Sequence, residues 1–387
     1  MKKVAILLGT LLAVTTATSA KEVISAPVVV EETPTKIIEK EVIVYRDREP
    51  EWRPNGYISL QETYYGTTEG QKETTAKAWN KYNDYIRTQL QGKIKMTPNQ
   101  AMDFRVRTFQ NTHISKKYKD KSNQLRLRYY YEHGNIGDTK IGAMSRMKYY
   151  KSGEGRGSQS VEYVLEFDFT KYIYSNEYIK TTKFVIGPAY SYYWGDNVCY
   201  DTSKLKDGIV PNGAKKTSIG YTNNIGVYFN WVVKLPYGFK ADLEMDTVNY
   251  SIGSQKGVYT NSEIEDGVAV TKIKKTRFNM PIKFLLNHSY NIWENDDYSL
   301  NWYVQGGYDP YSFSNRNSLS ESKKKVSKET YSIKLEPSIT LSYKANKFVN
   351  LYGTLGAQYR NWKRTNQRDA SHWRWQPYAT IGVSTNF

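Results

Sequence analysis

The 387-residue chain has almost no cysteine: its one thiol, Cys199, cannot form an intramolecular disulfide and reads as an unpaired thiol in a loop. Histidine is nearly as scarce, and His133, His288, His113 and His372 are scattered without the spacing of a metal site. No metal and no cofactor is therefore expected. After residue 20 no apolar run approaches the roughly 20 residues that a membrane helix needs. Mean hydropathy is −0.69. Acids are the minority charge: 38 Asp and Glu stand against 55 Lys and Arg, a formal net charge of +17. These shortages exclude a disulfide framework, a helical membrane protein and a histidine-based metal centre.

Aromatic residues are abundant. They make up 14% of the chain, with 35 Tyr and 9 Trp, an unusual load for so polar a sequence. A transmembrane β-barrel accounts for both facts, because alternate residues meet lipid while the others face water, and aromatics gather in girdles at the two interfaces.

The chain begins with Lys2 and Lys3, an apolar run from Val4 to Val14, and small or hydroxylated residues through Thr18, Ser19 and Ala20. This is the pattern of a secretory signal peptide, with cleavage expected after Ala20. A run of about 11 residues is too short to anchor in a bilayer, so residues 1–20 are expected to be removed on export. Residues 21–54, rich in Val, Pro and alternating charge, are expected to be a periplasmic N-terminal extension, extended or partly disordered. An exported protein rarely meets nucleic acid, which sets that partner aside despite a pI near 9.4.

From residue 55 to residue 387 the sequence repeats one theme, about ten alternating residues and then a turn. Leu125, Leu127, Tyr129 and Tyr131 alternate with Gln124, Arg126, Arg128 and Tyr130. Val161, Tyr163, Leu165 and Phe167 alternate with Ser160, Glu162, Glu166 and Asp168. The last strand sets Ala379, Ile381, Val383 and Phe387 against small polar residues, with Thr385 departing from the apolar column. A strand ending the sheet leaves unpaired backbone groups, so it is expected to pair antiparallel with Gly56 to Tyr65 and close the wall. The fold class is an all-β transmembrane antiparallel barrel of about 14 strands, within a range of 12 to 16. An even number places the long connections, after strands one, seven, nine and eleven, on one side. The short turns at Thr97 to Gln100, Pro236 to Gly238 and Lys344 to Lys347 fall on the other, as in bacterial barrels.

The inward positions carry the charge. Strands three to five offer Arg105, Arg107, Arg126, Arg128, Arg146 and Lys148. Strands six and nine offer Glu162, Glu166, Asp168, Asp242, Glu244 and Asp246, and strand ten adds Lys275 and Arg277. Neighbouring inward charges can simply pair. Their confinement to one face still indicates an aqueous interior, because Arg or Lys facing lipid near the midplane costs about 2–4 kcal/mol. A basic arc facing an acidic arc would set a transverse field across the lumen. The expected activity is passive diffusion of small hydrophilic solutes and ions through a water-filled pore, with no chemical step, and residues 191–217 are a candidate constricting loop.

The signal sequence, the segment Val44-Tyr45-Arg46-Asp47-Arg48-Glu49, the stretch Trp52-Arg53-Pro54-Asn55-Gly56 leading into strand one and the terminal strand ending in Phe387 together resemble the FomA-type major outer-membrane porins of fusobacteria. The likeness is most specific over residues 1 to 60. It implies a weakly selective outer-membrane porin, a homotrimer exposed to other cells, with no catalytic residues.

Two other functions are open. A surface adhesin or receptor would use the outer loops, whose Lys116-Lys117, Lys215-Lys216 and Lys323-Lys324-Lys325 clusters suit lipopolysaccharide phosphates or acidic cell surfaces. A barrel hydrolase would need His, Ser or carboxylates at a rim; Asn287-His288-Ser289 offers them, in what reads as a periplasmic turn.

Overall fold

The computed structural model describes residues 52–69, 84–111, 122–153, 157–195, 199–200, 216–217, 221–253, 259–266, 268–319, 326–330, 333–361 and 373–387. Fourteen strands make the wall: β1 (Asn55–Tyr65), β2 (Tyr85–Thr97), β3 (Gln100–Asn111), β4 (Ser122–Asn135), β5 (Gly142–Ser152), β6 (Ser158–Asp168) and β7 (Lys180–Gly195). The second half continues with β8 (Tyr221–Lys234), β9 (Phe239–Gly253), β10 (Thr276–Glu294), β11 (Tyr298–Leu319), β12 (Ile333–Lys344), β13 (Val349–Asn361) and β14 (Trp373–Asn386). Each pairs antiparallel with its sequence neighbours, and β14 pairs with β1, so the sheet closes on itself as a 14-strand barrel.

Closure follows the expected partners. Tyr57 stands opposite Asn386, Leu60 opposite Val383 and Tyr65 opposite Tyr378. Beyond the last rung, Gly56 N–H donates to the Phe387 carbonyl at 2.9 Å and Phe387 N–H donates back at 3.0 Å. No open edge remains between first and last strand, which removes the row of unsatisfied backbone groups that an open sheet would carry into lipid.

The period of two decides which side each residue faces. On β6, Ser160, Glu162, Val164 and Glu166 are buried inside, whereas Tyr163 between them is 40% exposed on the outer surface. The outer columns are apolar along most of the wall, as on β10 with Phe278, Met280, Ile282, Phe284 and Leu286. One carboxylate breaks the rule: Glu62 lies in the outer column of β1 between Leu60 and Tyr64, with the Thr88 hydroxyl 3.5 Å away.

Short turns gather at one rim, and Asn residues shape three of them. The Oδ1 atoms of Asn176, Asn295 and Asn346 each accept two backbone N–H groups two and three residues on, at 2.7 to 3.1 Å. Such side-chain-closed turns reverse the chain cheaply. The Pro236–Gly238 turn instead needs positive φ, 58° at Tyr237 and 80° at Gly238.

Several boundaries differ from the sequence reading. The alternation near residue 270 suggested one wall strand from Val270, but Val268–Lys274 pairs with Tyr259–Glu265 as a separate hairpin, and β10 starts at Thr276. That strand runs through Asn287, His288 and Ser289 to Glu294, so those residues are not in a turn. β7 extends through Tyr192, Tyr193 and Trp194, which were assigned to a loop. The remaining expected loop lies outside the described residues apart from Cys199–Tyr200, paired with Lys216–Thr217. Local alternation cannot tell a long hairpin from a wall strand, since both satisfy the same period. The expected signal peptide and most of the N-terminal extension lie outside the described residues, as do the side chains of the three lysine clusters.

Candidate functional site

The inner face divides into a charge-paired arc and a basic one. The paired arc spans β5 to β10. Lys148 stands opposite Glu162 in register, and its Nζ lies 2.7 Å from the carboxylate. The Arg146 guanidinium reaches Glu162 at 3.4 Å and Glu166 at 3.2 Å, and Lys183 approaches Glu166 at 3.7 Å. Both Glu166 oxygens lie in ion-pair range, yet neither accepts an aligned hydrogen bond. Tyr228, from β8, lies under Arg146 with the guanidinium carbon 4.2 Å from its ring centroid, and its hydroxyl donates to Glu244 at 3.3 Å. Lys283 on β10 completes the chain at 2.7 Å from Glu244. Asp242, on β9 with Glu244, accepts from the Asn230 amide at 2.9 Å.

The basic arc covers β2 to β4. Asp103 accepts from Arg126 at 3.2 Å, from Arg128 at 3.0 Å and from the Tyr130 hydroxyl at 2.8 Å. Arg105 stands directly opposite Arg126 in register, with Gln91 on its other side. Like charges directly across a sheet destabilise it. Arg107 donates to the Gln89 side chain, and Arg87 stacks on the Tyr65 ring at 5.2 Å. Among the described residues Arg105 makes no ion pair, and Asp103 is the single carboxylate paired with this group. The Nε atoms of Arg87 and Arg126 are buried without hydrogen-bond partners.

This division corrects the expected grouping. Arg146 and Lys148 were placed in the basic arc, but the register sets them against Glu162 and Glu166, and they are neutralised there. Lys275 was expected on the inner wall; it sits between the Val268–Lys274 strand of the separate hairpin and β10 and is exposed. Arg277 lies within β10, opposite the buried Ser251. Asp246 falls in the register shift between Met245 and Asn249, and Asp168 is exposed at the rim, where it accepts the Thr170 N–H at 2.8 Å and closes a turn. Sequence reading passed over Arg87, Lys93, Lys183 and Tyr228; the run Arg87, Gln89, Gln91, Lys93 in β2 carried the signal for two of them.

Two tyrosines fit glycine clefts on the inner wall. A Cβ at Gly382 would fall under 3.0 Å from the Tyr352 ring, and one at Gly356 equally close to the Tyr378 ring. Tyr352 donates to Gln61 at 3.1 Å and bonds Ser59 at 3.2 Å, bridging β13 to β1 across β14. A further ring cluster, Tyr65 stacked on Tyr85 at 4.5 Å with Tyr378 at 5.6 Å, lies beside Arg87.

The hydrolase candidate does not assemble. His288 and Ser289 are consecutive in a strand and so project to opposite faces, with the His288 ring against Phe239 at 4.6 Å. Among the described residues no group of three or more His, Cys, Asp or Glu could hold a metal.

No protein-family model and no curated protein matches the chain. Solved structures it resembles include the outer membrane channel DcaP of Acinetobacter baumannii, at 9% identity over 87% of this chain and 96% of that one, with a TM-score of 0.34. OmpT of Vibrio cholerae in its trimer form aligns at 8% identity over 87% and 99%, TM-score 0.34. A bacterial polysaccharide outer membrane secretin aligns at 10% identity over 86% and 98%, TM-score 0.35.

Proposed function

We propose that the protein is an outer-membrane porin through which small hydrophilic solutes and ions diffuse passively. The observation that carries this reading is the closed wall with an apolar outer column and an inner face of charged and amide side chains, because a polar inner face is stable only in contact with water. Fourteen strands fall between small barrels filled by side chains and the 16- to 18-strand porins that leave a channel. In this reading the short-turn rim faces the periplasm, residues 1–20 are a cleaved signal, residues 21–54 a periplasmic extension, and lipopolysaccharide surrounds the outer rim.

Purified full-length protein in planar bilayers tests the proposal: stepwise conductance is expected, and a correctly folded barrel that never conducts would overturn it. A homotrimer, implied by the resemblance to fusobacterial porins, belongs to the same proposal. Glu62 supports it, since a carboxylate in an outer column is better placed against protein than against lipid, and the nearby outer positions Gly353, Ala357 and Ala379 are small. Mass measurement in mild detergent is expected to give three copies; a monomer with unimpaired conductance would remove the trimer alone.

A further inference from the structure

The paired arc shows what neutralisation looks like on this wall: Lys148 faces Glu162, and each buried carboxylate meets a cation. Against that pattern, the basic arc is incomplete. Five guanidinium groups, from Arg87, Arg105, Arg107, Arg126 and Arg128, occupy inward positions of three consecutive strands, and among the described residues one carboxylate, Asp103, serves them. Asp103 is already engaged by Arg126, Arg128 and Tyr130. At the centre, Arg105 and Arg126 face each other as a like-charge pair, and Gln89 and Gln91, not acids, flank the group on β2. A solvated charge pair could be relieved by rotating both side chains into water. Here the Arg126 and Arg87 Nε atoms are buried and unpartnered, so part of their donor capacity is withheld from solvent.

Resting on the porin reading, we infer that Arg105 and Arg126, flanked by Arg107 and Arg128, form a discrete lumenal binding site for small multivalent oxyanions, of which inorganic phosphate is the simplest. Guanidinium forks match tetrahedral and planar oxyanions two bonds at a time, and one divalent anion between Arg105 and Arg126 would cancel the repulsion that the register imposes. The site differs from a diffuse field: it saturates, and it depends on fork geometry as well as charge. A solute held this way is enriched in the lumen and released toward either rim. Monovalent chloride, lacking two acceptor oxygens, passes with little retention.

The test uses the full chain in planar bilayers, in potassium chloride with potassium phosphate added at constant ionic strength. Wild type is expected to show a phosphate-dependent, saturable fall in single-channel current. In R105Q/R126Q the half-blocking concentration should rise about tenfold or more. R105K/R126K keeps the charge and loses the forks, so it should fall between the two. K148Q, on the paired arc, should behave like wild type. Channels that conduct but show no saturable block, or a block unchanged in R105Q/R126Q, would overturn the site and leave the porin reading intact. Equilibrium dialysis of phosphate against the folded barrel in detergent reads occupancy without conduction. If no variant or wild type conducts, the porin reading fails, and dialysis alone decides the site: binding lost in R105Q/R126Q sustains it, and equal binding removes it.

Discussion

The Arg146 guanidinium carbon lies 4.2 Å from the centroid of the Tyr228 ring, although the two residues belong to β5 and β8, with two strands between them. Gly187 on β7, in register with Tyr228, lies so close to β6 that a Cβ there would meet the Leu165 carbonyl. The Arg146–Tyr228 contact joins the Lys148–Glu162–Arg146–Glu166 group, with Lys183 of β7 on Glu166, to the Glu244–Lys283 pair, so that one polar chain braces six strands. Tyr228 is 2% exposed. Tyr228→Ala is expected to cost about 3 kcal/mol, read as a lower melting temperature of the folded form on gels. Tyr228→Phe, which keeps the ring and loses one hydroxyl bond, should cost about 1 kcal/mol.

Glu166 and Arg146 should behave as a unit. Glu166→Gln is expected to lose about 2–3 kcal/mol, because Arg146 and Lys183 then face a neutral amide in a buried setting. Arg146→Met leaves two buried carboxylates short of a partner and should cost more. The double variant should cost less than the two singles together, and strict additivity of the denaturation energies would argue that the network is not coupled.

Gly382 is filled by its neighbour's ring. Gly382→Ala should push Tyr352 off the inner wall and break its bonds to Gln61 and Ser59, for a loss of about 1–3 kcal/mol. Removing the ring as well, in Gly382→Ala with Tyr352→Ala, should relieve the clash, so adding the second substitution costs less than Tyr352→Ala costs in the wild type. Thermal melts of the three variants and the parent check this.

Thr385 stands in the outer column between Ile58 and Val349, is 5% exposed, and its hydroxyl has no partner. A buried unmatched hydroxyl costs about 1–3 kcal/mol. Thr385→Val is therefore expected to raise the melting temperature, and a fall would show that the hydroxyl is used during assembly or in a contact with lipid.

Charge on the basic arc should set ion preference. Arg126→Glu with Arg128→Glu is expected to move the reversal potential in a salt gradient toward cations. An unchanged potential would place both side chains outside the conducting path. The same substitutions made on the paired arc, as Lys148→Glu, should act chiefly on stability, since Glu162 would then face a second carboxylate.

The barrel class, the strand number and the first-to-last pairing are written in the sequence, because each follows from a period of two and from the need to leave no edge in lipid. Leu125, Leu127 and Tyr129 against Arg126 and Arg128 declare their faces without help from any other strand. The inward placement of most charged residues was legible for the same reason. Which charges meet was not, since pairing depends on register across strands, and a shift of one residue sends every side chain to the other face. Register set Arg146 and Lys148 against Glu162 and Glu166, removed them from the basic arc, and left Arg105 facing Arg126. The separate hairpin of Tyr259–Glu265 and Val268–Lys274 escaped sequence reading because it alternates as a wall strand does. The sequence by itself therefore determined the closed wall and its two faces, through local periodicity. Tertiary structure alone decided which part of the inner face is neutral and which stays basic, through the stagger of strands distant in the chain.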